Sequence, residues 1–445
     1  MTEPQTVVGT RPPRRRTSRL SSPWFVRLMV VTFVAQFISS AIRPLITYES
    51  LAAGAGAMQV GFITAAFAVL ALVAAIPLGK AVDRRGETGF LVLGGILVCA
   101  TLLSLLAPSS LLLLGVCSAF LGLGHLVLVI ASQTLIAKGS QPERRETRFA
   151  TLTTVNAVAQ IVAPAMTGLL VGDVASSHDE LATHVPNSHL VVTIAAGMAV
   201  IATLSAISLR RWPGALARRS VPDAPRGRGS FAAVLRLPAV PAAILASLTV
   251  LTSIDLLGAY LPVYGQQHGI SARTVGLLLA TEGVAAIVVR IWMLRLITRF
   301  SRRRVLVGTM TLAAISLAGL PFLSLLDTPE PALFAVMVLA GLGLGIGQPA
   351  TMAWVAAQTP VHLRGTAVSI RLSGNRLGQI VVPISVGALA GGLGLAAAFW
   401  CPAVLLLVSA GLILRTPRDR PSIVRTRRAS RRLPHLKAKE GKLSD

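Results

Sequence analysis

Residues 156–164 read NAVAQIVAP, and residues 375–383 read NRLGQIVVP. Asn, Gln and Pro keep one spacing in both copies, and Gly168 and Gly387 extend the match, so four positions share an offset of 219. A polar pattern written twice in apolar surroundings marks a duplicated unit. A second register agrees: Val60-Gly61 and Val275-Gly276 lie 215 apart, and at that offset GKAVDRRG (79–86) falls on LRLITRFS (294–301). Lys80 is kept basic as Arg295, and Arg84 as Arg299.

The surroundings have membrane composition. Of 445 residues, 53% are hydrophobic and 13% charged, with a mean hydropathy of +0.71, whereas soluble domains run about 25% charged. Spanning takes about 20 mostly apolar residues. Twelve such runs are present, at 24–46, 58–79, 88–107, 110–137, 148–171, 188–209, 238–264, 274–297, 304–326, 331–358, 366–392 and 394–415. The connections at 108–110 and 327–330 are short enough to make their flanking helices antiparallel neighbours. The first run has the short core of a secretory leader, ending near Ser39-Ser40-Ala41, but the eleven spans that follow argue for an uncleaved helix.

The two registers set helix two on helix eight and helix five on helix eleven. The expected fold is therefore all-α and integral to the membrane, with twelve transmembrane helices in two parallel-repeat bundles of six. The expected divisions are a basic arm at 1–23, a first bundle at 24–209, a linker at 210–237, a second bundle at 238–415 and a basic tail at 416–445. Six is even, so the halves share one orientation about a pseudo-twofold along the membrane normal.

Charge orients the chain, because Lys and Arg near helix ends stay on the cytoplasmic side. With both termini inside, 37 of the 42 basic residues fall on that side, only Arg273 falls on the other, and Arg43, Arg290, Arg371 and Arg376 lie within spans. This asymmetry accounts for the net charge of +25 without nucleic acid. Basic tails such as RTRRASRRL (425–433) suit anionic lipid, at about 1 kcal/mol per residue. Arg outnumbers Lys 37 to 5, as in GC-rich bacterial genomes, which makes the expected location the plasma (inner) membrane. The three cysteines all lie inside apolar spans without a CxxC pair, and the seven histidines form no HExxH, so no disulfide, metal site or enzyme chemistry is expected.

The 79–86 loop carries a resemblance. GKAVDRRG, between helices two and three and ahead of a duplicated second half, resembles the signature loop G-x-x-x-D-R-x-G of the major facilitator superfamily, and the resemblance covers residues 24–415. It implies a conformational latch built from Gly79, Lys80, Asp83, Arg84, Arg85 and Gly86, in which Asp83 meets the N-terminal end of helix eleven. A carboxylate there gains about 0.3–1 kcal/mol from the backbone dipole. Three departures stand beside it. The second-half counterpart has Thr298 and Ser301 in place of Asp and Gly, the helix-four Arg of much of the family is Ser118 ahead of Gly122-Leu123-Gly124, and the exporter pattern of helix five is blurred to Ala159, Ala163-Pro164 and Thr167-Gly168.

A charge at mid-bilayer costs about 2.5–3.5 kcal/mol on insertion scales, so each one needs a reason. Arg43 near the outer end of helix one and Asp255 in the outer half of helix seven are expected at similar depth on symmetry-related helices, either as a gate pair or as a snorkelling Arg beside a wet Asp. Glu282 and Arg290 are eight residues apart on helix eight, about 12 Å, too far for a direct bond. Each is expected to find a partner elsewhere, with Asn156 and Gln160 on helix five as candidates. His125 is the mid-span residue whose ordinary pKa is near neutral, and so joins Arg43, Asp255, Glu282 and Arg290 as a gate or proton-coupling candidate. Asn156, Gln160, Gln348, Asn375, Arg376 and Gln379 are the candidate cavity or interface polar residues, while Pro164 and Pro383 bend or loosen the helices along the seam. GLGLGIGQP (341–349) has no strand before it and no Lys-Ser/Thr after it, so it is no nucleotide loop; its glycines thin the wall of helix ten and let Gln348 face the cavity.

With no ATP motif, uphill movement must run on an ion gradient, protons by default, and no cofactor is expected. The expectation is a monomeric secondary transporter of a small molecule. Apolar walls point first to efflux of drug-like or metabolite compounds. Uptake of a small polar solute stands second, and a transport-inactive receptor or scaffold third.

Overall fold

Among the described residues, twelve helices are long and apolar enough to cross a membrane, and no strand is present. The computed structural model describes residues 22–107, 110–171, 185, 187–210, 231–237, 239–325, 330–360 and 363–416. Nearly all of the basic tail and the basic arm, most of the linker and the lipid contacts expected of the termini lie outside them. In the first half, helix one is Pro23–Ala52, helix two Ala57–Arg85, helix three Glu87–Ser104, helix four Leu111–Gly139, helix five Pro142–Val171 and helix six Ser188–Arg210. In the second half, helix seven is Val240–Gln267, helix eight Ala272–Phe300, helix nine Arg302–Leu325, helix ten Glu330–Gln358, helix eleven Arg364–Leu393 and helix twelve Ala397–Arg415.

Four expected spans need correction. Helix two runs on past residue 79 to Arg85, so most of the stretch expected as a loop at 79–86 is helical, and helix five begins at Pro142 rather than at 148. Helix one continues past residue 46 to Ala52, because Thr47 and Ser50 return their hydroxyls to the carbonyls of Arg43 and Ile46, which keeps polar residues inside the helix. Helix ten is not continuous but breaks at residues 345–346, between Glu330–Leu344 and Gly347–Gln358. Glycine costs roughly 1 kcal/mol of helix propensity, and four alternate positions in 341–347 are Gly. Pro349 has no N–H to give the Gly345 carbonyl, and that freed carbonyl finds an arginine, as described below.

Each half has its own apolar core. Leu28, Ile42, Leu91, Leu121 and Leu135 pack in the first; Tyr260, Trp354, Phe399 and Leu406 pack in the second. The duplicated sequence makes duplicated turns. Gly86 joins helices two and three at φ +93°, and its counterpart at the 215 offset, Ser301, joins helices eight and nine at φ +73°. Glycine takes this conformation without penalty; a serine there stores about 1–3 kcal/mol of strain.

The halves meet along two seams that are copies of one another. Helix two lies against helix eleven, with Gly61 so close that a Cβ there would stand 2.5 Å from the Pro383 carbonyl oxygen and 3.3 Å from the Gly387 Cα. Helix eight lies against helix five, where Gly276 packs on the Pro164 carbonyl and on Gly168. These are the residues of the two repeat registers. The repeated Pro and Gly of helices five and eleven receive the repeated Val-Gly of helices eight and two, and backbones approach closely because no side chain intervenes.

Both seams lie at one end of the molecule, the end bearing the turns at 53–56 and 268–271. There the cores interlock: Ala55 and Val60 are buried in the second core and Ala272 in the first. Tyr260 Oη donates to the carbonyls of Ala57 at 3.1 Å and Pro383 at 3.5 Å, stitching helix seven to helices two and eleven. The opposite end is splayed. Beyond Ala71 only Val82 is buried through the rest of helix two, and beyond Val289 nothing is buried through the rest of helix eight.

Candidate transport site

Helices one and five of the first half and seven and eight of the second enclose a cavity of about 810 Å³, counting its open mouth. Its lining includes Gln36, Ser39, Ser40, Arg43, Gln160, Asp255, Glu282 and Arg290. Those eight polar or charged side chains make it far more polar than the helix compositions suggest. Overall composition averages in the lipid-facing residues; the cavity samples only the inward stripe.

Arg43 and Asp255 meet across the halves. Arg43 Nη1 donates to Asp255 Oδ1 at 2.6 Å, and the guanidinium stands over the Phe67 ring of helix two, 4.8 Å from its centroid. Gln379 Nε2 donates to the other carboxylate oxygen, and Arg376 Nη1 donates to Gln379 Oε1 at 3.0 Å. The chain Arg43, Asp255, Gln379, Arg376 thus ties helix one to helices seven and eleven. Asp255 is buried and both its oxygens are occupied, which is what a carboxylate away from water requires.

Glu282 and Arg290 line the same cavity without touching. Arg290 Nε donates to the Gly345 carbonyl at 2.7 Å, at the break in helix ten. Glu282 makes no hydrogen bond among the described residues, and its proximity to Gln160 is that of two lining residues. Arg290's partner is thus a backbone carbonyl, not the helix-five amides.

The repeated amides take different partners in the two halves. Asn375 Oδ1 accepts from Ser247 Oγ at 2.9 Å, whereas Asn156 turns away from helix eight. It lines a second, smaller pocket with Gln36, His125 and Gln133 among helices one, four and five. Asn156 Oδ1 and His125 Nδ1 are both buried there without a hydrogen bond. Gln348 does not line the cavity; its Nε2 donates to the Ser247 carbonyl, and its Oε1 accepts from Arg371 at 2.8 Å. Arg371 also reaches the Gln348 carbonyl at 3.0 Å, so two arginines, 290 and 371, serve the carbonyls around the broken helix.

At the C-terminal end of helix two, Asp83 pairs with Lys138 at the end of helix four at 3.2 Å, and Lys138 also holds Glu87 at 2.7 Å. Its partner here lies within its own half rather than at helix eleven. Ser118, at the position of the family's Arg, donates to the Ile63 carbonyl at 2.7 Å, and Gly122 lies directly against the Phe67 backbone. That position joins helix four to helix two.

The sequence alone assigned no role to Gln36, Phe67, Lys138 or Tyr260, and Arg371 was noted there only as an Arg within a span. A lone Arg in an apolar run was signal enough for Arg371. Phe67 and Tyr260 carry no such signal, since an aromatic in a span is ordinarily lipid-facing or core. Among the described residues, no cluster of His, Cys, Asp and Glu is placed to hold a metal ion.

A family model described as the Major Facilitator Superfamily matches residues 28–329 and 243–440. The fold is similar to that of the nucleoside transporter NupG (TM-score 0.69, 13% identity, 88% of this chain and 98% of that one). It is also similar to a D-xylose-proton symporter (0.70, 12%, 89% and 98%) and to the inward-open xylose transporter XylE from E. coli (0.68, 12%, 89% and 97%). No curated protein matches by sequence.

Proposed function

The chain belongs to the major facilitator superfamily, and from that premise we propose that it is a proton-coupled secondary transporter moving a small polar solute by alternating access. The observation that carries the reading is the cavity between the halves, which is sealed at one end by the paired glycine seams and the Arg43–Asp255 bridge and splayed at the other. Positive-inside charge supports a cytoplasmic splayed end and cytoplasmic termini, in a reading that places the protein in the plasma membrane. On that assignment the molecule is inward-open, with Arg43 and Asp255 as the outer gate. When the inner end closes, Asp83 leaves Lys138 for the N-terminal end of helix eleven.

The polar lining favours a polar solute over lipophilic cargo. This shifts weight from efflux of drug-like compounds, the first expectation, to the second. Two structural relatives are titled as sugar carriers and one as a nucleoside carrier. Right-side-out and inverted vesicles, given an imposed proton gradient and a panel of solutes, test the proposal. Accumulation of a solute driven by the gradient, in one orientation, is the expected result. Accumulation driven only by ATP or sodium would end the proton assignment, and none at all would end the transporter reading.

A further inference from the structure

Away from the helix ends, four arginines stand inside the spans, Arg43, Arg290, Arg371 and Arg376, against two carboxylates, Asp255 and Glu282. Their bonding separates them. Asp255 is committed to Arg43 and Gln379. Arg371 and Arg376 are held by oxygens of the second half, those of Gln348 and Gln379. Glu282 and Arg290 remain, both lining the cavity, about 12 Å apart along one helix.

Arg290 commits only Nε, to the Gly345 carbonyl. Neither of its Nη groups has a hydrogen bond among the described residues, and neither does the Glu282 carboxylate. A brace for the broken helix would need no more than Nε. The remaining edge of the guanidinium is a planar pair of donors on a residue that lines the cavity, and such a pair matches a carboxylate or phosphate.

We infer that the cavity binds a compound bearing one negative charge on the free Nη edge of Arg290, and takes up one proton on Glu282 with it. The inference rests on the transporter reading and names the class of solute and its coupling. Charge balance leads to it. The charged groups facing the cavity are Arg43 from helix one, Asp255 from helix seven, and Glu282 and Arg290 from helix eight. Helix five contributes the neutral Gln160, and helix ten meets Glu282 through its backbone at Gly341. Among the groups that line the empty cavity, the two arginines balance the two carboxylates, while Arg371 and Arg376 stand outside the lining on the neutral amides of Gln348 and Gln379. Once the inner end closes over the site, a monoanion alone would leave one uncompensated lining charge shut away from water, which is costly. A proton on Glu282 restores neutrality, so anion and proton move together, one for one, with no net charge crossing.

Binding and movement are tested separately, on the full-length protein. In detergent, thermal stabilisation is measured with a panel of small carboxylates and phosphate monoesters, each beside its neutral amide or alcohol and its amine counterpart. In proteoliposomes, proton entry under an anion gradient is followed with a trapped pH dye, with and without a potassium-valinomycin potential. The expected result is stabilisation by one or more anions and not by their neutral or cationic counterparts. Arg290→Gln loses that shift, and Arg290→Lys, which keeps charge and a donor for Gly345 but not the fork, shows a reduced one, so the test survives if the Gln variant fails to fold. Glu282→Gln keeps the stabilisation but loses proton entry, and wild-type proton entry is unchanged by the imposed potential.

A larger shift from a cation or neutral compound, no shift from any anion, or anion binding in the folded Arg290 variants equal to wild type overturns the inference. Proton entry that persists in Glu282→Gln, or that follows the potential, overturns its coupling part. An anion that binds through Arg290 yet never crosses the vesicle would remove the transporter reading instead.

Discussion

Arg43 and Asp255 were legible as single charges in apolar runs, and their repeat-related helices suggested the pairing. The contact shows what each does to the other. Asp255 has 7% of its side chain exposed and Arg43 24%, so removing one partner leaves the other largely out of water. Breaking such a pair costs about 3–5 kcal/mol, against about 0–1 kcal/mol for a solvated one. Asp255→Asn alone should therefore depress transport strongly. Arg43→Gln combined with Asp255→Asn should recover it, because an Asn amide can accept from Gln379 and donate to a Gln at 43 with no charge left over. If Asp255 instead carries the proton, no neutral residue at 255 supports gradient-driven movement whatever stands at 43, although exchange without a gradient persists. Transport and exchange in the three variants separate the two, and additive losses in both assays would reject pairing. Gln379 was visible as a repeated amide, but its brace on Asp255 was not. Its mate Gln160 lines the cavity with no such contact, because a repeat preserves position along a helix and not the neighbour across from it.

The seams are where the repeated sequence acts as a repeated element. Val-Gly on helices two and eight and Pro-x-x-x-Gly on helices five and eleven fit as two copies of one joint, and the sequence showed all eight residues without showing that they touch. Periodicity places residues on one helix, whereas contact between helices depends on how the bundles dock. Gly276→Val puts a branched side chain into the Pro164 carbonyl and should hold that end apart. A cysteine placed at Ser40 in the cavity, with Cys99, Cys117 and Cys401 replaced, reports the result through an impermeant thiol reagent. In the otherwise native chain it should react from the side of the 79–86 loop. With Gly276→Val it should react from the opposite side, and labelling from the original side alone would mean that the joint does not govern closure. The break in helix ten was legible only as a run of glycines. Whether glycines ahead of Pro349 break a helix depends on what receives the freed Gly345 carbonyl, and Arg290 comes from helix eight, far off in sequence.

For the whole molecule, composition and charge made the twelve helices and their pairing into halves readable, because crossing lipid leaves the backbone few choices. Which end was closed could not be read, since under alternating access, as proposed, the same sequence closes either end in turn. The central claim is that the two halves rock about the cavity, so that one end opens as the other shuts, with the Arg43–Asp255 bridge holding the present arrangement. Pulsed electron-spin distance measurements on a cysteine-free background test it directly, with one label pair at Ala53 and Gln267 and another at Arg85 and Ser301. All four are exposed and lie at opposite ends of the two halves. In the otherwise native chain, short distances should dominate the first pair and long ones the second. Asp255→Asn should lengthen the first and shorten the second together, as populations pass from one state to the other. Distances that stay fixed in both backgrounds, or that lengthen at both ends at once, would contradict the account.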